Sequence, residues 1–497
     1  MIAFVSNNRN VRSTTVPVHY LNLSAFLSKH GIDNDIVEIK ERSRFANKSV
    51  EYYDAFLLKK LAAKNYEYIG LSCYITDYNS TLKLAKKIKS RFPKTKIILG
   101  GPHVTLRPRD PFLSKAPISL VVIGEGEEPL LDLLKRKKTL SEISGICYKR
   151  DNKIKVNPPK CIHKDLSHIP LPAYDKIDMD FYMHPNNMGL RFMATSTIHI
   201  FTGLGCPFNC AFCANKSMYE ARNSPKIIRY KTIDQVIAEL RFLKNKYGLE
   251  SFYIQDDTFT LNKERVTKIC HRLIDENLDL LWGAETRVNL IDERLVAIMK
   301  KAGCYQLDFG VEAATQKVLD AVNKGITLKE TQRAFNICRR HQVRSGANIM
   351  LNLPSEGEDD VAAIGKFLKK LKASVHYIAL TVPFIGTEIY EKHVNPKLTL
   401  DEYKLFENPF LYGTIIDKRF RLAAHKLPLE KIIMKLRLRL VFPKTLLDFP
   451  LQKSYLRYLW KSKYKKEIFI EVINNFNNLA YNGFVFASSK FKTSLKK

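Results

Sequence analysis

The chain has 497 residues with an ordinary globular balance of 45% apolar and 26% charged residues. This length predicts two to four domains. No stretch reaches the roughly 18 apolar residues of a membrane-spanning helix, and the nine cysteines lack the regular spacing of a disulfide framework. Because the first residues also lack a secretory pattern, we expect a cytoplasmic protein with free thiols.

The net charge of +31 arises from 81 basic and 50 acidic side chains. Residues 391–497 are especially basic, with 22 basic and nine acidic side chains. Such an excess fits nucleic acid, an anionic lipid surface or acidic substrates as partners, and it equally fits the solvated surface of a lysine-rich protein. Charge alone therefore excludes none of these partners.

Residues 1–145 alternate between short apolar strands and helices, beginning with IAFVS at residues 2–6. All-apolar strands separated by helices predict an α/β fold with a parallel, doubly wound Rossmann-like sheet. Two glycine-rich turns, GGPH at 100–103 and GEGE at 124–127, follow strands at the edge where such sheets bind ligands. Neither turn is a dinucleotide fingerprint or a P-loop, and plain tight turns also explain these glycines.

Residues 146–190 are rich in Pro and Asn and predict a linker. From 191 to 390, six further strand–helix units predict a (β/α)6 partial TIM barrel with its active site at the C-terminal strand ends. Residues 391–497 predict a C-terminal domain of basic, aromatic-rich helices. These helices fit peripheral contact with anionic lipid, recognition of an acidic substrate, or a solvated cap over the barrel.

The most specific motif is GLGCPFNCAFCANK at residues 203–216, which places Cys206, Cys210 and Cys213 in one short loop after a strand. Three thiolates can hold three corners of a [4Fe–4S] cluster and leave one iron open to another ligand. A structural zinc site would favour a second C-x-x-C pair, which this sequence lacks. Three unrelated core cysteines are uncommon at this spacing. The motif therefore favours a cluster with an open position.

The pattern C-x-x-x-C-x-x-C resembles the motif of the radical S-adenosylmethionine (SAM) superfamily. The resemblance implies that SAM binds the open iron through its amino and carboxylate groups. It further implies that an electron from the cluster cleaves SAM to methionine and a 5′-deoxyadenosyl radical, with a flavodoxin- or ferredoxin-like protein as reductant. Phe212 occupies the position that meets the adenine in this superfamily.

The segments ILGGPHVT at 98–105 and VVIGEGEEPLLDLL at 121–134 are similar to the N-terminal cobalamin-binding domain of B12-dependent radical SAM enzymes. The resemblance covers roughly residues 1–390 and implies a cobalamin site at Ser72, Tyr74, Gly100, Gly101, His103, Gly124, Glu125 and Gly126. His19 lacks the Asp and Gly of the D-x-H-x-x-G motif that supplies a cobalt ligand, so we do not assign it as one. Cobalt without a protein ligand and relic cobalamin binding both remain open.

Inside the barrel, the G-G-E triplet that meets the SAM amine in this family is replaced by Gln255, Asp256 and Asp257. A carboxylate can pair with an ammonium there, so Asp256 or Asp257 is the expected substitute. The resemblance implies that Arg287 binds the carboxylate of SAM and that Glu312 binds its ribose or amine. Ordinary ion pairs at the barrel rim explain these two residues equally well.

The leading hypothesis is a cobalamin-dependent methyltransferase that acts on an unactivated carbon of a small-molecule or lipid substrate. By resemblance, one SAM methylates cobalamin and a second SAM supplies the radical that activates the substrate. The alternative within the family is a non-methylating cyclisation or rearrangement. The alternative from another class is a basic RNA- or lipid-associating iron–sulfur protein, but no RNA-binding module is recognisable and nucleic acid is not expected. No catalytic residue is assigned beyond the cofactor ligands.

Overall fold

The structure is a computed structural model that describes residues 1–6, 15–40, 49–160, 163–186, 190, 193–224, 228–407, 417–436 and 453–473. Much of the predicted C-terminal helical region, at 437–452 and 474–497, lies outside the described residues. Among the described residues, none of the helices combines the length and the apolar character needed to cross a membrane.

A seven-stranded sheet occupies the N-terminal part of the chain, with strand order β2-β1-β3-β4-β5-β6-β7. The first five strands in this order are parallel, and β6 and β7 are antiparallel to their neighbours. The strands are β1 (Ile2–Val5), β2 (Asn34–Val37), β3 (Tyr68–Ser72), β4 (Lys96–Gly100), β5 (Leu120–Val122), β6 (Ile146–Arg150) and β7 (Lys153–Asn157).

Helices cover both faces of this sheet, as expected for strands that are apolar along their whole length. The helices are α1 (Val18–Lys29), α2 (Val50–Leu61), α3 (Tyr78–Arg91), α4 (Pro102–Leu106), α5 (Asp110–Leu113) and α6 (Glu127–Lys135). Apolar residues of α2 and α3 pack in one core, and those of α1 and α6 pack in a second. The predicted doubly wound Rossmann-like sheet is thereby confirmed.

The first sheet extends further along the chain than we expected. Residues 146–157 were assigned to the linker, but they form the hairpin of β6 and β7. The two residues between these strands, Asp151 and Asn152, have φ angles of 49° and 56°. Tight hairpin turns require this left-handed backbone, which Asp and Asn adopt more readily than other non-glycine residues.

A second sheet of six parallel strands forms the barrel, in the order β15-β14-β13-β12-β11-β8. Its strands are β8 (Thr197–Ile200), β11 (Ser251–Ile254), β12 (Leu281–Thr286), β13 (Cys304–Glu312), β14 (Arg344–Leu351) and β15 (Val375–Leu380), and β9 (Gly203–Leu204) pairs with β10 (Arg229–Tyr230) in a separate ribbon. Within the described residues β8 and β15 are not paired with each other, so the barrel is partial, as predicted.

Helices alternate with the barrel strands, and all of them except the helix at Asn215–Ala221, which has no buried residue, contribute side chains to the largest core. They are α7 (Met179–Met183), α8 (Asn215–Ala221), α9 (Ile233–Tyr247), α10 (Lys263–Asp275), α11 (Glu293–Lys301), α12 (Gln316–Ala321), α13 (Leu328–Arg340), α14 (Glu358–Leu371) and α15 (Glu388–His393). Local sequence determines where several of these helices begin. Thr232 and Gln235 form a capping box at the start of α9, and Thr327 and Glu330 form one at the start of α13. Each capping box provides hydrogen-bond acceptors for N–H groups at the start of its helix.

The described C-terminal residues join the cores of the two sheets, where the sequence predicted a separate helical domain. Tyr403, Phe406 and Phe420 pack in a core of the first sheet, and α16 (Leu429–Leu436) packs on the barrel. On α17 (Lys453–Lys461), Tyr455 donates a hydrogen bond to the carbonyl of Ala194, just before β8. This helix therefore lies beneath the N-terminal ends of the barrel strands, opposite the predicted active site.

Candidate cofactor and active site

The three motif cysteines lie in the loop between β9 and α8, at the C-terminal end of the barrel. Cys206, Cys210 and Cys213 are free thiols and partly exposed. Backbone hydrogen bonds fix the loop: the N–H of Ala211 donates to the carbonyl of Val322 at 2.9 Å, and the carbonyl of Ala211 accepts from Ile389 at 3.1 Å. The loop is thus held by two distant parts of the barrel rather than by its own sequence alone.

The donor set fits an iron–sulfur cluster better than a single metal ion. In the described part of the chain, no three His, Cys, Asp or Glu side chains converge as the ligands of one ion must. A cubane has no such requirement, since each thiolate binds a different iron. Burial raises the pKa of the Cys213 thiol to about 11, so a thiolate at this position needs a bound cation to stabilise it.

Arg287 follows β12 and lies directly against the cysteine loop. One terminal nitrogen, Nη1, is 3.6 Å from Sγ of Cys210, and the other donates to the carbonyls of Lys324 and Gly325. The guanidinium stacks over the Phe208 ring at 3.7 Å from its centroid. Arg287 is therefore a buried cation beside the cysteines, in the region where an anionic ligand of an open iron would lie.

Glu312 ends β13 in a backbone conformation that is unusual for a glutamate. Its φ angle is +63°, and the register with β14 shifts between Gly310 and Glu312. Its Oε1 accepts a 2.6 Å hydrogen bond from Nζ of Lys324, and both side chains are buried. Lys324 also lies 5.7 Å from the ring centroid of Phe212. Such local strain is typical of functional sites.

The two adjacent aspartates after β11 differ in what they contact. Asp256 is buried and accepts two 2.6 Å hydrogen bonds, from the N–H and the hydroxyl of Thr202, and burial raises its pKa to about 6. Asp257 is exposed and accepts one 2.9 Å hydrogen bond from the N–H of Gly205, immediately before Cys206. Asp257 is therefore the better placed of the two predicted SAM-amine partners.

A cavity of about 1320 Å³ lies between the strand ends of the first sheet and those of the barrel. Typical sites for one small molecule span roughly 300–1,000 Å³, so this cavity has room for more than one ligand. Gly203, Leu204 and Asp257, which flank the cysteine loop, line its barrel side. Both predicted cofactor regions thus open onto one space.

The first-sheet side of the cavity is formed by seven of the eight predicted cobalamin contacts, which are Ser72, Tyr74, Gly100, Gly101, Gly124, Glu125 and Gly126. A Cβ added to Gly100 would meet only one heavy atom, at 4.0 Å, so a ligand can approach its backbone closely. The open backbone at Gly100 and the size of the cavity fit a large flat cofactor. Glu125, however, already pairs with Arg229 of β10.

His103 does not line the cavity, in contrast to our expectation. It is 3% exposed, lies 3.4 Å from Oδ2 of Asp110 and packs between the rings of Tyr78 and Tyr403. Because α4 begins at Pro102, the following side chain turns into the core. His103 therefore has a structural position in the core.

His19, which we did not assign as a ligand, lines the cavity at the start of α1. Solvent reaches the ring through the cavity, but the surrounding protein lowers the pKa of His19 to about 4 by desolvation. Two cations near the site, Lys324 and Arg222, were not predicted from the sequence. The residues around Lys324 carry no periodic signal that marks it, and Arg222 could have been noticed only from its position shortly after the cysteine motif.

Comparisons with known proteins agree with this arrangement. The family model for the radical SAM superfamily matches residues 200–368, and the B12-binding domain model matches residues 6–134. An uncharacterized methyltransferase of Pyrococcus horikoshii is 32% identical over 335 residues, which cover 67% of this chain and 70% of that protein. An anaerobic magnesium-protoporphyrin IX monomethyl ester cyclase of Rubrivivax gelatinosus is 26% identical over 324 residues, 63% of this chain and 55% of the cyclase.

Among solved structures, the radical SAM methyltransferase TsrM from Kitasatospora setae, with tryptophan substrate and a SAM analogue bound, has a TM-score of 0.68. The match covers 89% of both chains at 16% identity, which supports the shared fold. The two matched domains, the cysteine loop and the common cavity lead to one assignment. The chain belongs to the family of cobalamin-dependent radical SAM enzymes, which use cobalamin, SAM and a [4Fe–4S] cluster.

Proposed function

We propose that this chain methylates an unactivated carbon of a small molecule or lipid. The observation that carries the proposal is that the segments flanking the cysteine loop, at Gly203, Leu204 and Met218, border the same cavity as the glycine turns of the first sheet. When bound, the cluster and SAM supply a 5′-deoxyadenosyl radical that removes a hydrogen atom, and cobalamin supplies the methyl group. The substrate must then lie between them, which is where the cavity offers room.

Different residues of this chain would bind the cluster and the separate groups of SAM. Cys206, Cys210 and Cys213 would hold the cluster and leave one iron to SAM. Asp257 is exposed beside the loop and carries a charge that suits the SAM ammonium, while Arg287 suits its carboxylate. Lys324 holds one carboxylate oxygen of Glu312, which leaves the second oxygen to accept hydrogen bonds from the ribose.

Contacts between the two halves favour exclusion of water from the cavity. The Glu125–Arg229 ion pair joins the second glycine turn to β10. On the opposite side, Glu407 accepts hydrogen bonds from the N–H groups of Asn79 and Ser80 at the start of α3, and Phe406 lines the cavity beside it. A closed site protects a reactive radical from side reactions.

A non-methylating cyclisation is the second candidate, and the specific support for it is the 26% identity with the cyclase of Rubrivivax gelatinosus. Both reactions need the same cluster and the same first hydrogen abstraction. The two reactions differ in whether SAM donates a methyl group. Only the methylation yields S-adenosylhomocysteine in addition to 5′-deoxyadenosine, so these two products of SAM distinguish the reactions.

The experiment is an anaerobic reconstitution of the full chain with iron, sulfide, cobalamin, SAM and a one-electron reductant. Formation of both S-adenosylhomocysteine and 5′-deoxyadenosine supports methylation, and 5′-deoxyadenosine alone supports the cyclisation. Protein that takes up the cluster but retains no cobalamin would contradict both. A flavodoxin or ferredoxin is the natural electron donor to test, because such acidic proteins suit a chain of net charge +31.

The proposal includes peripheral contact with an anionic lipid surface through the C-terminal helices. Trp460 and Phe469 are 77% and 67% exposed, and several lysines lie close to them in sequence. Exposed aromatic residues among basic side chains are typical of surfaces that bind lipid headgroups. Sedimentation with phosphatidylglycerol vesicles, but not with phosphatidylcholine vesicles, is expected for the wild-type protein and not for Trp460→Ser combined with Phe469→Ser.

A further inference from the structure

Arg222 is a charged side chain of the cavity that the assignments above leave without a role. It follows α8, the helix after the cysteine loop, and lines the cavity. Across the gap lies the second glycine turn of the first sheet, since a Cβ on Gly124 would come within 3.1 Å of Cγ of Arg222. Arg222 therefore spans the boundary between the two halves and faces the first-sheet side.

Within the described residues, the guanidinium of Arg222 has no counter-ion. None of its nitrogens lies within 4.0 Å of a described carboxylate oxygen, and its buried Nε has no hydrogen-bond partner. The negative charges of Glu125 and Asp257 act on it, but Glu125 already binds both terminal nitrogens of Arg229, and Asp257 is the expected partner of the SAM ammonium. Lys231, another cation of the cavity, pairs with Glu239 at 2.7 Å.

An unpaired cation in such a place costs free energy unless a ligand neutralises it. Desolvation lowers the pKa of Arg222, but an arginine stays protonated, so the charge itself must be compensated. The planar fork of a guanidinium matches the oxygens of a phosphate or a carboxylate in two parallel hydrogen bonds. The sulfonium and ammonium groups of SAM are cationic and therefore unsuitable partners, and its carboxylate is the group proposed above to bind Arg287.

We infer that Arg222 binds an anionic oxygen group, a phosphate or a carboxylate, of a molecule held against the first-sheet side of the cavity. The inference rests on the proposed function, since it names a chemical property of what that cavity holds. Two sources carry this chemistry: the substrate, and the phosphodiester in the nucleotide tail of cobalamin. Arg222 then orients the ligand across from the cysteine loop.

The test uses the full chain loaded with cluster and cobalamin, as wild type, Arg222→Gln, Arg222→Lys and the control Arg272→Gln. Arg272 is a surface arginine that pairs with Asp234 and Glu276. Equilibrium dialysis with radiolabelled inorganic phosphate at low salt reports a substrate-type anion site. If the anion belongs to the substrate, we expect saturable binding that weakens about tenfold or more in Arg222→Gln, and that is largely retained in the lysine variant and unchanged in the control.

A parallel measurement compares retention of cobalamin with retention of cobinamide, which lacks the phosphodiester. If Arg222→Gln releases cobalamin but keeps cobinamide, the anion belongs to the cofactor. If it keeps both and loses phosphate binding, the anion belongs to the substrate.

The inference is overturned if Arg222→Gln matches wild type in all of these measurements, or if only its affinity for SAM falls. None of these readouts requires turnover. Loss of both SAM products in wild-type protein that still binds phosphate would therefore count against the proposed reaction and leave the anion site standing. Formation of both products in wild-type and variant protein that bind phosphate equally and retain cobalamin equally would count against the anion site alone.

Discussion

The two sides of the central cavity are built on different principles. The carboxylate of Asp257 lines the barrel side, and the cysteine loop, with its three thiols and the neighbouring guanidinium of Arg287, lies next to that carboxylate. The first-sheet side combines apolar and polar side chains with the glycines of the two turns at the ends of β4 and β5. A cluster and SAM are held by specific bonds, whereas a large flat cofactor is held by shape. Changes on the barrel side should therefore abolish chemistry, and changes on the sheet side should weaken fit.

The largest effect is expected when a cysteine of the loop is replaced by alanine. If Cys206, Cys210 and Cys213 hold the cluster as proposed, loss of any one of them removes a ligand, and iron content and both SAM products should fall to background. Iron analysis and chromatography of the SAM products measure this. Cys270→Ala is the matched control, since Cys270 is a fully buried thiol of α10 outside the loop. Full iron content in all three loop variants would contradict the assignment of these cysteines as cluster ligands.

Gly101→Ala tests the sheet side, where shape should dominate. A Cβ at Gly101 would lie 2.6 Å from the backbone oxygen of Cys73, and its φ angle of 102° is unfavourable for alanine. We expect a loss of stability of about 2 kcal/mol or more and poor retention of cobalamin, while cluster content persists. Urea unfolding and cobalamin absorbance measure these changes.

The control for this variant is Gly31→Ala. Gly31 also has a positive φ angle, 75°, but no heavy atom lies within 4 Å of the added Cβ. Gly31→Ala should lose only the stability that an alanine with a positive φ angle costs. It should have no steric clash, and it should retain cobalamin. If Gly31→Ala releases cobalamin as readily as Gly101→Ala does, then close approach at the first glycine turn is not what retains the cofactor.

Much of the barrel side was predictable because its residues carry information in their type and spacing. Three cysteines within eight positions indicate a metal cluster whatever the surrounding fold. Alternating strands and helices also predicted both sheets, since short buried strands are recognisable by composition. The pairing of Asp257 with the loop, in contrast, depended on where β11 ends, and a boundary error of one residue exchanges the roles of Asp256 and Asp257.

Long-range packing was not predictable. His103 stands in the glycine-rich motif, yet Tyr403, from a segment 300 positions further along the chain, completes the aromatic pocket that buries it. Glu125 likewise pairs with Arg229, which lies about 100 positions further along the chain in the ribbon of β9 and β10. The sequence of the C-terminal segment predicted helices, but it did not predict which surfaces of the two sheets they cover. In each case a local pattern defined the element, and a distant contact decided the role of the side chain.

A comparison of Asp257→Asn with Asp256→Asn tests which of these two residues on the barrel side contacts SAM and which stabilises the fold. If Asp257 pairs with the SAM ammonium, its neutral variant should bind SAM about tenfold more weakly at unchanged stability. Asp256→Asn should instead lose stability by about 1–3 kcal/mol, because Asp256 holds the N–H and the hydroxyl of Thr202 at the end of β8. Calorimetric titration with SAM and urea unfolding distinguish the two. The opposite result would move the SAM contact to Asp256.

The smallest effect is expected at Glu38, which lies after β2 on the sheet side and away from the reacting groups. It is 4% exposed, its Oε2 accepts a 2.6 Å hydrogen bond from the hydroxyl of Tyr182, and burial raises its pKa from 4.5 to about 7. The folded state therefore favours the protonated carboxyl. Stability gained from that proton is complete below about pH 4.5 and is lost as the pH rises to about 7.

Glu38→Gln keeps an acceptor for Tyr182 but cannot ionise. The free energy of unfolding of wild type should therefore fall relative to the variant between pH 5 and pH 7, by on the order of 2 kcal/mol, and then remain level. Urea unfolding of both proteins across this range is the measurement. SAM cleavage should not differ between them, because this titration belongs to the side of the cavity that holds its ligand by shape. Parallel stability curves, or a pH-dependent difference in SAM cleavage, would contradict that division.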